Sequence, residues 1–151
     1  MTAEATPAEH RNLVVVGVDG SDPSSEALAW AAEEARLRRA TLKVVHAWQI
    51  PSVAYVGPAP IVDQSQWVQQ AQATLDEQVG KVLGDAPGID LVTELWEGPS
   101  AQAIIDAAAD ADVLVVGSRG RGGFAGLLLG SVSNQVVHHA RCPVVVVPAA
   151  R

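Results

Sequence analysis

The chain has 151 residues, of which 48% are hydrophobic and 18% charged, and its formal net charge is −7. This composition indicates one globular domain rather than a disordered chain, and the negative charge argues against a nucleic-acid partner. No apolar run approaches the roughly 20 residues of a membrane span, and a single cysteine, Cys142, rules out an internal disulfide and favours a reducing, cytoplasmic location.

The N-terminal residues 1–10 are small and polar, with one proline, and lack the apolar core of a secretory signal. We therefore expect a flexible tail there, followed by a single domain over residues 11–149.

The first predicted unit is a strand, a helix and a second strand. Asn12–Val18 is apolar on both faces, as in a buried parallel strand. Two acids, a glycine and Pro23 then predict a turn and a helix to about Arg39, because proline suits the first helical turn. Thr41–Trp48 is the second strand, so the two strands should be parallel and joined by a right-handed crossover.

The middle of the chain alternates in the same way. Gln49–Val62 contains three prolines, and a lid over a ligand and a loose surface loop are equally compatible with it. Asp63 to about Leu83 predicts an amphipathic helix whose apolar residues fall at helical spacing. Ile89–Trp96 alternates like a less buried edge strand, and a helix follows from Ser100 to about Ala109.

The last predicted unit is the most distinctive. Val113–Val116 is a fully apolar strand, and six glycines follow from Gly117 to Gly130 before Ser131 opens a short helix. A glycine-rich loop before a helix N-terminus suits phosphate, because glycine permits close backbone approach and the helix N–H groups favour an anion. Val144–Val147 is the final strand. Such alternation predicts an α/β fold with a doubly wound, open parallel five-stranded sheet and helices on both faces.

Two glycine spacings in this loop match a known signature. Gly117 and Gly120 are followed, after nine residues, by Gly130-Ser131, which gives G-x2-G-x9-G-[ST]. With its flanking Val-Val-Gly-Ser-Arg-Gly and Gly-Ser-Val-Ser, the pattern resembles the ATP-binding signature of the universal stress protein family, and the resemblance covers nearly the whole chain. It implies a Rossmann-like sheet of order 3-2-1-4-5, in which the loops after strands one and four face one another at the switch point.

The resemblance also implies a set of nucleotide-contacting positions. The backbone at Ala47 would read the adenine, Asp19 would contact the nucleoside, and the glycine loop and helix start would hold ribose and phosphates. The residues so implied are Gly17, Val18, Asp19, Ala47, Val116, Gly117, Ser118, Arg119, Gly120, Arg121, Gly122, Gly123, Gly130, Ser131, Val132 and Ser133.

Several of these positions have a second interpretation. Asp19 can accept hydrogen bonds from ribose hydroxyls or cap the first helix, although Ser21 or Asp22 is better placed for capping. Arg119 and Arg121 can neutralise phosphate or simply face solvent.

Binding is better supported by the residues than turnover. The chain has no G-x4-G-K-[ST], and no Ser-His-Asp or Cys-His arrangement lies at the expected crevice. The prediction is an ATP-binding stress-response protein, with Mg²⁺ or Mn²⁺ as an optional companion of the phosphates. A slow ATPase or nucleotidyl-transferring enzyme, an AMP or cyclic AMP binder, and a dimerisation module without nucleotide are the alternatives.

The last strand also predicts a partner. In the implied order Val144–Val147 is an edge strand, and a continuous apolar edge needs a cover. Antiparallel pairing with the same strand of a second copy would supply one and give a two-fold homodimer, which the resemblance also implies.

Overall fold

The computed structural model describes residues 12–52, 57, 63–85, 88–120 and 129–149. Within these residues, five strands alternate with four helices. The strands are β1 (Leu13–Val18), β2 (Thr41–Trp48), β3 (Asp90–Glu97), β4 (Val113–Gly117) and β5 (Val144–Val147). The helices are α1 (Asp22–Arg38), α2 (Gln64–Leu83), α3 (Ser100–Ala107) and α4 (Ser131–His139).

The strands form one parallel sheet in the order β3-β2-β1-β4-β5, which confirms the predicted fold class and order. β1 lies at the centre, and Val15 pairs with Lys43 on one side and Leu114 on the other. Because β1 and β4 are neighbours from different halves of the chain, the connections after them diverge. The crevice at their carboxyl ends is the switch point of the sheet.

Helices cover both faces of the sheet. α1 and α2 pack on the face that carries Val14 and Val16, whereas α3 and α4 pack on the face that carries Val15 and Leu114. Successive β1 residues enter opposite cores because side chains alternate across a strand. This two-sided burial explains the unbroken apolar runs in β1 and β4.

The ends of α1 agree with the sequence. Ser21 is the N-cap, and its hydroxyl accepts a hydrogen bond from the Ser24 N–H at 3.3 Å. The Glu34 carboxylate accepts from the Arg38 Nε–H at 2.6 Å. This pair is partly exposed and joins residues four apart on one helix, so we expect it to contribute only a few tenths of a kcal/mol.

Two local predictions need correction, and a third stays untested. The apolar face predicted for α2 is not continuous, because Val68 falls at its helical spacing but is 36% exposed, while the polar Gln78 is buried. Gly117, expected to open the loop, is the last residue of β4 because it still pairs with Val147. The Gln49–Val62 question stays open, since residues 53–56 and 58–62 lie outside the described residues.

Both edges of the sheet are partly exposed. β3 has exposed and half-buried positions throughout, as predicted for an edge strand, and all four residues of β5 are half-buried. In the part of the chain that the structure describes, no helix is both long and apolar enough to cross a membrane.

Candidate functional site

The loops that follow β1 and β4 meet at the switch point. Asp19 directly follows β1, and Gly120 lies three residues after the end of β4. An ideal Cβ built on Gly120 would lie 2.5 Å from Asp19 Oδ2, so a side chain there would collide with this carboxylate. The close approach of two loops about 100 residues apart in sequence defines the candidate site.

The β1–α1 turn, Asp19–Ser21, is held by its own side chains. Asp19 Oδ1 accepts a hydrogen bond from the Ser21 N–H at 2.9 Å and a short one from the Ser21 hydroxyl. Ser21 in turn caps α1, so the capping role that was open for Asp19 belongs to Ser21. Asp19 orients that cap from outside the helix.

Gly20 is the one residue of this turn that needs to be glycine for its backbone. Its φ is +84°, in the left-handed region that side chains disfavour. The Gly20 N–H donates to Gln78 Oε1 at 2.8 Å. Sequence reasoning missed Gln78, although its spacing offered a signal: it continues the helical phase of Ala71 and Leu75, where an apolar residue is expected.

The strand ends beside the turn are tightly packed. Gly17 and Val18 are both buried in the sheet, and a Cβ on Gly17 would lie 2.6 Å from Ile104 Cδ1 of α3. The Val18 carbonyl lies 2.9 Å from His46 Nδ1 on β2 and accepts that nitrogen's hydrogen in the matching tautomer. Ala47 is the next residue of β2 and is half-buried.

Ser118 ties the end of β4 to the start of α4. Its N–H donates to the Val147 carbonyl at 2.8 Å, and its carbonyl accepts from the Gly130 N–H at 2.6 Å. The buried Ser133 hydroxyl lies 2.9 Å from the Ser118 carbonyl and 3.1 Å from that of Gly130. Ser133 therefore stabilises both ends of the loop, and its hydroxyl hydrogen is already used in these hydrogen bonds.

The remaining predicted positions differ in their surroundings. Val116 is buried in β4, and a Cβ on Gly117 would lie 3.1 Å from the Pro23 carbonyl oxygen. Arg119 is half-buried and Gly120 exposed. The expectations for Arg121, Gly122 and Gly123 lie outside the described residues.

The N-terminus of α4 is exposed at its first two residues, which lie between the buried Gly130 and the buried Ser133. Ser131 and Val132 are exposed, and the N-cap is Gly130, which has no side chain to cap the helix. Gly130 has a φ of −73°, and its ideal Cβ would make only ordinary contacts, the nearest at 3.5 Å from Arg119 Cα. Among the described residues, neither conformation nor packing requires glycine here, whereas backbone approach by a ligand would.

A metal-binding cluster and the Cys142 thiol are two other places where chemistry could occur. Among residues 12–52, 57, 63–85, 88–120 and 129–149, no group of three or more His, Cys, Asp or Glu side chains is arranged to hold a metal ion. Burial raises the pKa of the Cys142 thiol above its usual range. This thiol is protonated at neutral pH and so lacks the thiolate form through which reactive cysteines act.

Comparison with known proteins gives a consistent result. A model of the Universal stress protein family matches residues 11–148. A universal stress protein of Mycobacterium tuberculosis is 40% identical over 133 residues, which cover 88% of this chain and 44% of that protein. The chain thus spans about half the length of the curated relatives that it matches.

Solved structures with the same fold include two nucleotide complexes. One is a universal stress protein in complex with cAMP, with a TM-score of 0.67 and 28% identity over 94% of this chain and 100% of that one. The other is the universal stress protein from Archaeoglobus fulgidus in complex with dAMP, with a TM-score of 0.66 and 29% identity over 91% of this chain and 98% of that one.

Proposed function

Because this chain belongs to the universal stress protein family, we propose that it binds ATP at the crevice between β1 and β4. We further propose that it acts as a homodimeric, nucleotide-dependent regulator of a cytoplasmic stress response. The observation that carries the proposal is the contact between the Asp19 turn and Gly120 at the switch point. Two structural relatives, solved with cAMP and with dAMP, support adenine nucleotides as the ligand class.

Each part of the nucleotide has a suitable partner in this proposal. The backbone of Ala47 reads the adenine edge, and the Asp19 carboxylate accepts hydrogen bonds from ribose hydroxyls. Gly117, Gly120 and Gly130 admit the phosphates, and the start of α4, exposed at Ser131 and Val132, receives them through N–H groups and the helix dipole. Arg119 and Arg121 neutralise part of the phosphate charge.

Because ATP carries three phosphates, a divalent cation would bind together with it. Mg²⁺ and Mn²⁺ prefer oxygen ligands and are commonly held by phosphates with one or two carboxylates. Asp19 is the carboxylate in the crevice that would serve. The phosphates would therefore provide most of the cation's ligands.

The small molecules that co-purify with the protein test this proposal. We expect mass spectrometry of freshly purified, denatured protein to release ATP, and millimolar Mg-ATP to raise the thermal midpoint of any empty fraction by mass action. AMP or cyclic AMP instead would replace ATP as the ligand. ADP that accumulates in proportion to protein concentration would favour slow hydrolysis. No bound nucleotide and no thermal shift would contradict the proposal.

The dimer is proposed through β5. Val147 and Pro143 direct their carbonyls at β4, so strand alternation turns the hydrogen-bonding groups of Val144 and Val146 outward, toward a partner edge. In a two-fold antiparallel pair the same strand faces itself, so Val146→Lys brings two like charges together. We expect its dimer dissociation constant to rise by at least about tenfold, a loss of about 1.4 kcal/mol.

Analytical ultracentrifugation over a concentration series measures this change. Val92→Lys is the control for charge on an edge strand, because it places the same charge on β3, the opposite edge, where Val92 is 39% exposed. It should leave the dimer intact. Val146 is half-buried against the core, so the thermal midpoints of both variants are measured to separate loss of the dimer from loss of this packing. A monomeric wild type, or equal effects of the two substitutions, would remove the β5 interface from the proposal.

A further inference from the structure

Gln78 is a buried polar side chain on α2, 4% exposed, that reaches the β1–α1 turn about 57 residues earlier in the chain. Its Nε2 lies 2.7 Å from Ser24 Oγ, 3.0 Å from Ser25 Oγ and 3.1 Å from the Ser21 carbonyl oxygen. Its Oε1 accepts from the Gly20 N–H at 2.8 Å. One carboxamide from another helix thus contacts most of the turn.

The orientation of this carboxamide is decided by its backbone partners. The Gly20 N–H can only donate, so it must face Oε1, and the Ser21 carbonyl can only accept, so it must face Nε2. A flipped carboxamide would place its NH₂ group against the Gly20 N–H and its oxygen against the Ser21 carbonyl, and neither pair could form a hydrogen bond. Gln78 therefore favours one backbone conformation of the turn, in which the Gly20 N–H and the Ser21 carbonyl face its two carboxamide atoms.

Ser24 links Gln78 to the residue proposed to contact ribose. Ser24 Oγ donates to the Ser21 carbonyl at 3.0 Å and accepts from Gln78 Nε2 and from the Asp19 N–H, the latter at 3.2 Å. One donor and two acceptor positions are all that a hydroxyl offers, so this group is fully used. The Asp19 main chain is fixed through Ser24 and its side chain through Ser21.

We propose that Gln78 is a positioning residue, which holds the Asp19–Ser21 turn in the conformation that presents the Asp19 carboxylate to the nucleotide. This inference rests on the proposed nucleotide function. Gly20 gives the turn wide conformational freedom, because glycine restricts the backbone least. Gln78 removes that freedom before the ligand arrives, so binding loses less entropy.

Gln78→Met tests the proposal, since methionine keeps the length and unbranched shape of the side chain but loses all of its hydrogen bonds. Without nucleotide, we expect the Gly20 amide to exchange its hydrogen at least about tenfold faster, the factor that corresponds to one lost hydrogen bond of ordinary strength. With nucleotide, we expect the Kd for ATP to rise by about five- to tenfold.

Two control variants separate positioning from general destabilisation of α2. Gln69→Met makes the same change at an exposed position of the same helix and should alter neither measurement. Leu75→Ala removes a buried apolar side chain next to Gln78 in helical phase, so it should lower the thermal midpoint while its Kd stays within about twofold of wild type.

A double-mutant cycle with Asp19→Ala shows whether Gln78 acts through Asp19. In the Asp19→Ala background we expect Gln78→Met to change the Kd for ATP by less than about twofold, because the group being positioned is gone. If Gln78→Met does not fold, Gln78→Glu replaces it. Glutamate keeps the acceptor for Gly20 but directs a carboxylate oxygen at the Ser21 carbonyl, and should raise both exchange and Kd.

The outcomes distinguish this inference from the function on which it rests. Unchanged Gly20 exchange, an unchanged Kd in a folded variant, or an undiminished effect in the Asp19→Ala background would each overturn the positioning role. A wild type that binds no nucleotide would overturn the proposed function and this role with it, whereas the exchange measurement would still report whether Gln78 orders the turn.

Discussion

Asp19→Ala is expected to raise the Kd for ATP by about 10- to 100-fold, which corresponds to about 1.4–2.7 kcal/mol. The reason is that hydrogen bonds from ribose hydroxyls to a carboxylate are charge-assisted, and a water molecule left in their place cannot reproduce a fixed geometry. Isothermal titration calorimetry with Mg-ATP measures the change directly. Mass spectrometry should find little nucleotide on the purified variant.

Two further variants identify the cause of this loss. Asp19→Asn keeps an oxygen that can accept from the Ser21 N–H, so it should retain most of the stability while losing the charge. Asp22→Asn is the matched control, because the Asp22 side chain is 93% exposed and lies three residues from Asp19. Wild-type affinity in Asp19→Ala, or equal losses in Asp22→Asn, would remove Asp19 from the proposed site.

Gly17→Ala is expected to lower the free energy of unfolding by about 1–3 kcal/mol, the usual cost of adding a carbon to a filled core. The new Cβ would lie 2.6 Å from Ile104 Cδ1, and both residues are buried between β1 and α3. For a chain of this length the thermal midpoint should fall by about 2–10 °C. Chemical denaturation monitored by circular dichroism gives the free energy.

Ile104→Val provides the rescue, since valine lacks the Cδ1 atom with which the new methyl group collides. Alone it should cost about 0.5–1.5 kcal/mol, but combined with Gly17→Ala the total loss should be smaller than the sum of the two. Gly80→Ala is the control, because no described atom beyond its chain neighbours and the adjacent helix backbone lies within 4 Å of its added Cβ, and alanine favours a helix. Strict additivity of the first pair would contradict the steric explanation.

Local patterns in the sequence predicted the secondary structure well. Apolar runs located the buried strands β1 and β4, alternation identified β3 as an edge, and Pro23 with Ser21 located the start of α1. These features can be predicted from the sequence because hydrophobic periodicity and turn-forming residues depend on only a few neighbouring residues. Only the bounds of several elements moved, by one or two residues.

The strand order needed more than local patterns. Alternating strands and helices indicate a doubly wound sheet but fit more than one order, and the glycine spacing from Gly117 to Gly130 supplied the choice through family resemblance. The observed order agrees with that choice. The position of the crevice could therefore be predicted from the sequence and the resemblance, but the distances between its residues required the structure.

The sequence by itself determined the fold class, the edge character of β3 and the glycine-rich loop, because each depends on residues close together in the chain. The edge position of β5 and the meeting of the two crevice loops came with the strand order that the resemblance implied. The tertiary structure alone decided which atoms meet there. It brought Gly120 against Asp19, assigned the Gly17 position to the packing of Ile104, and turned Gln78 inward to hold the Asp19–Ser21 turn. Contacts between distant segments depend on strand order, register and helix rotation together, and no single segment encodes all three.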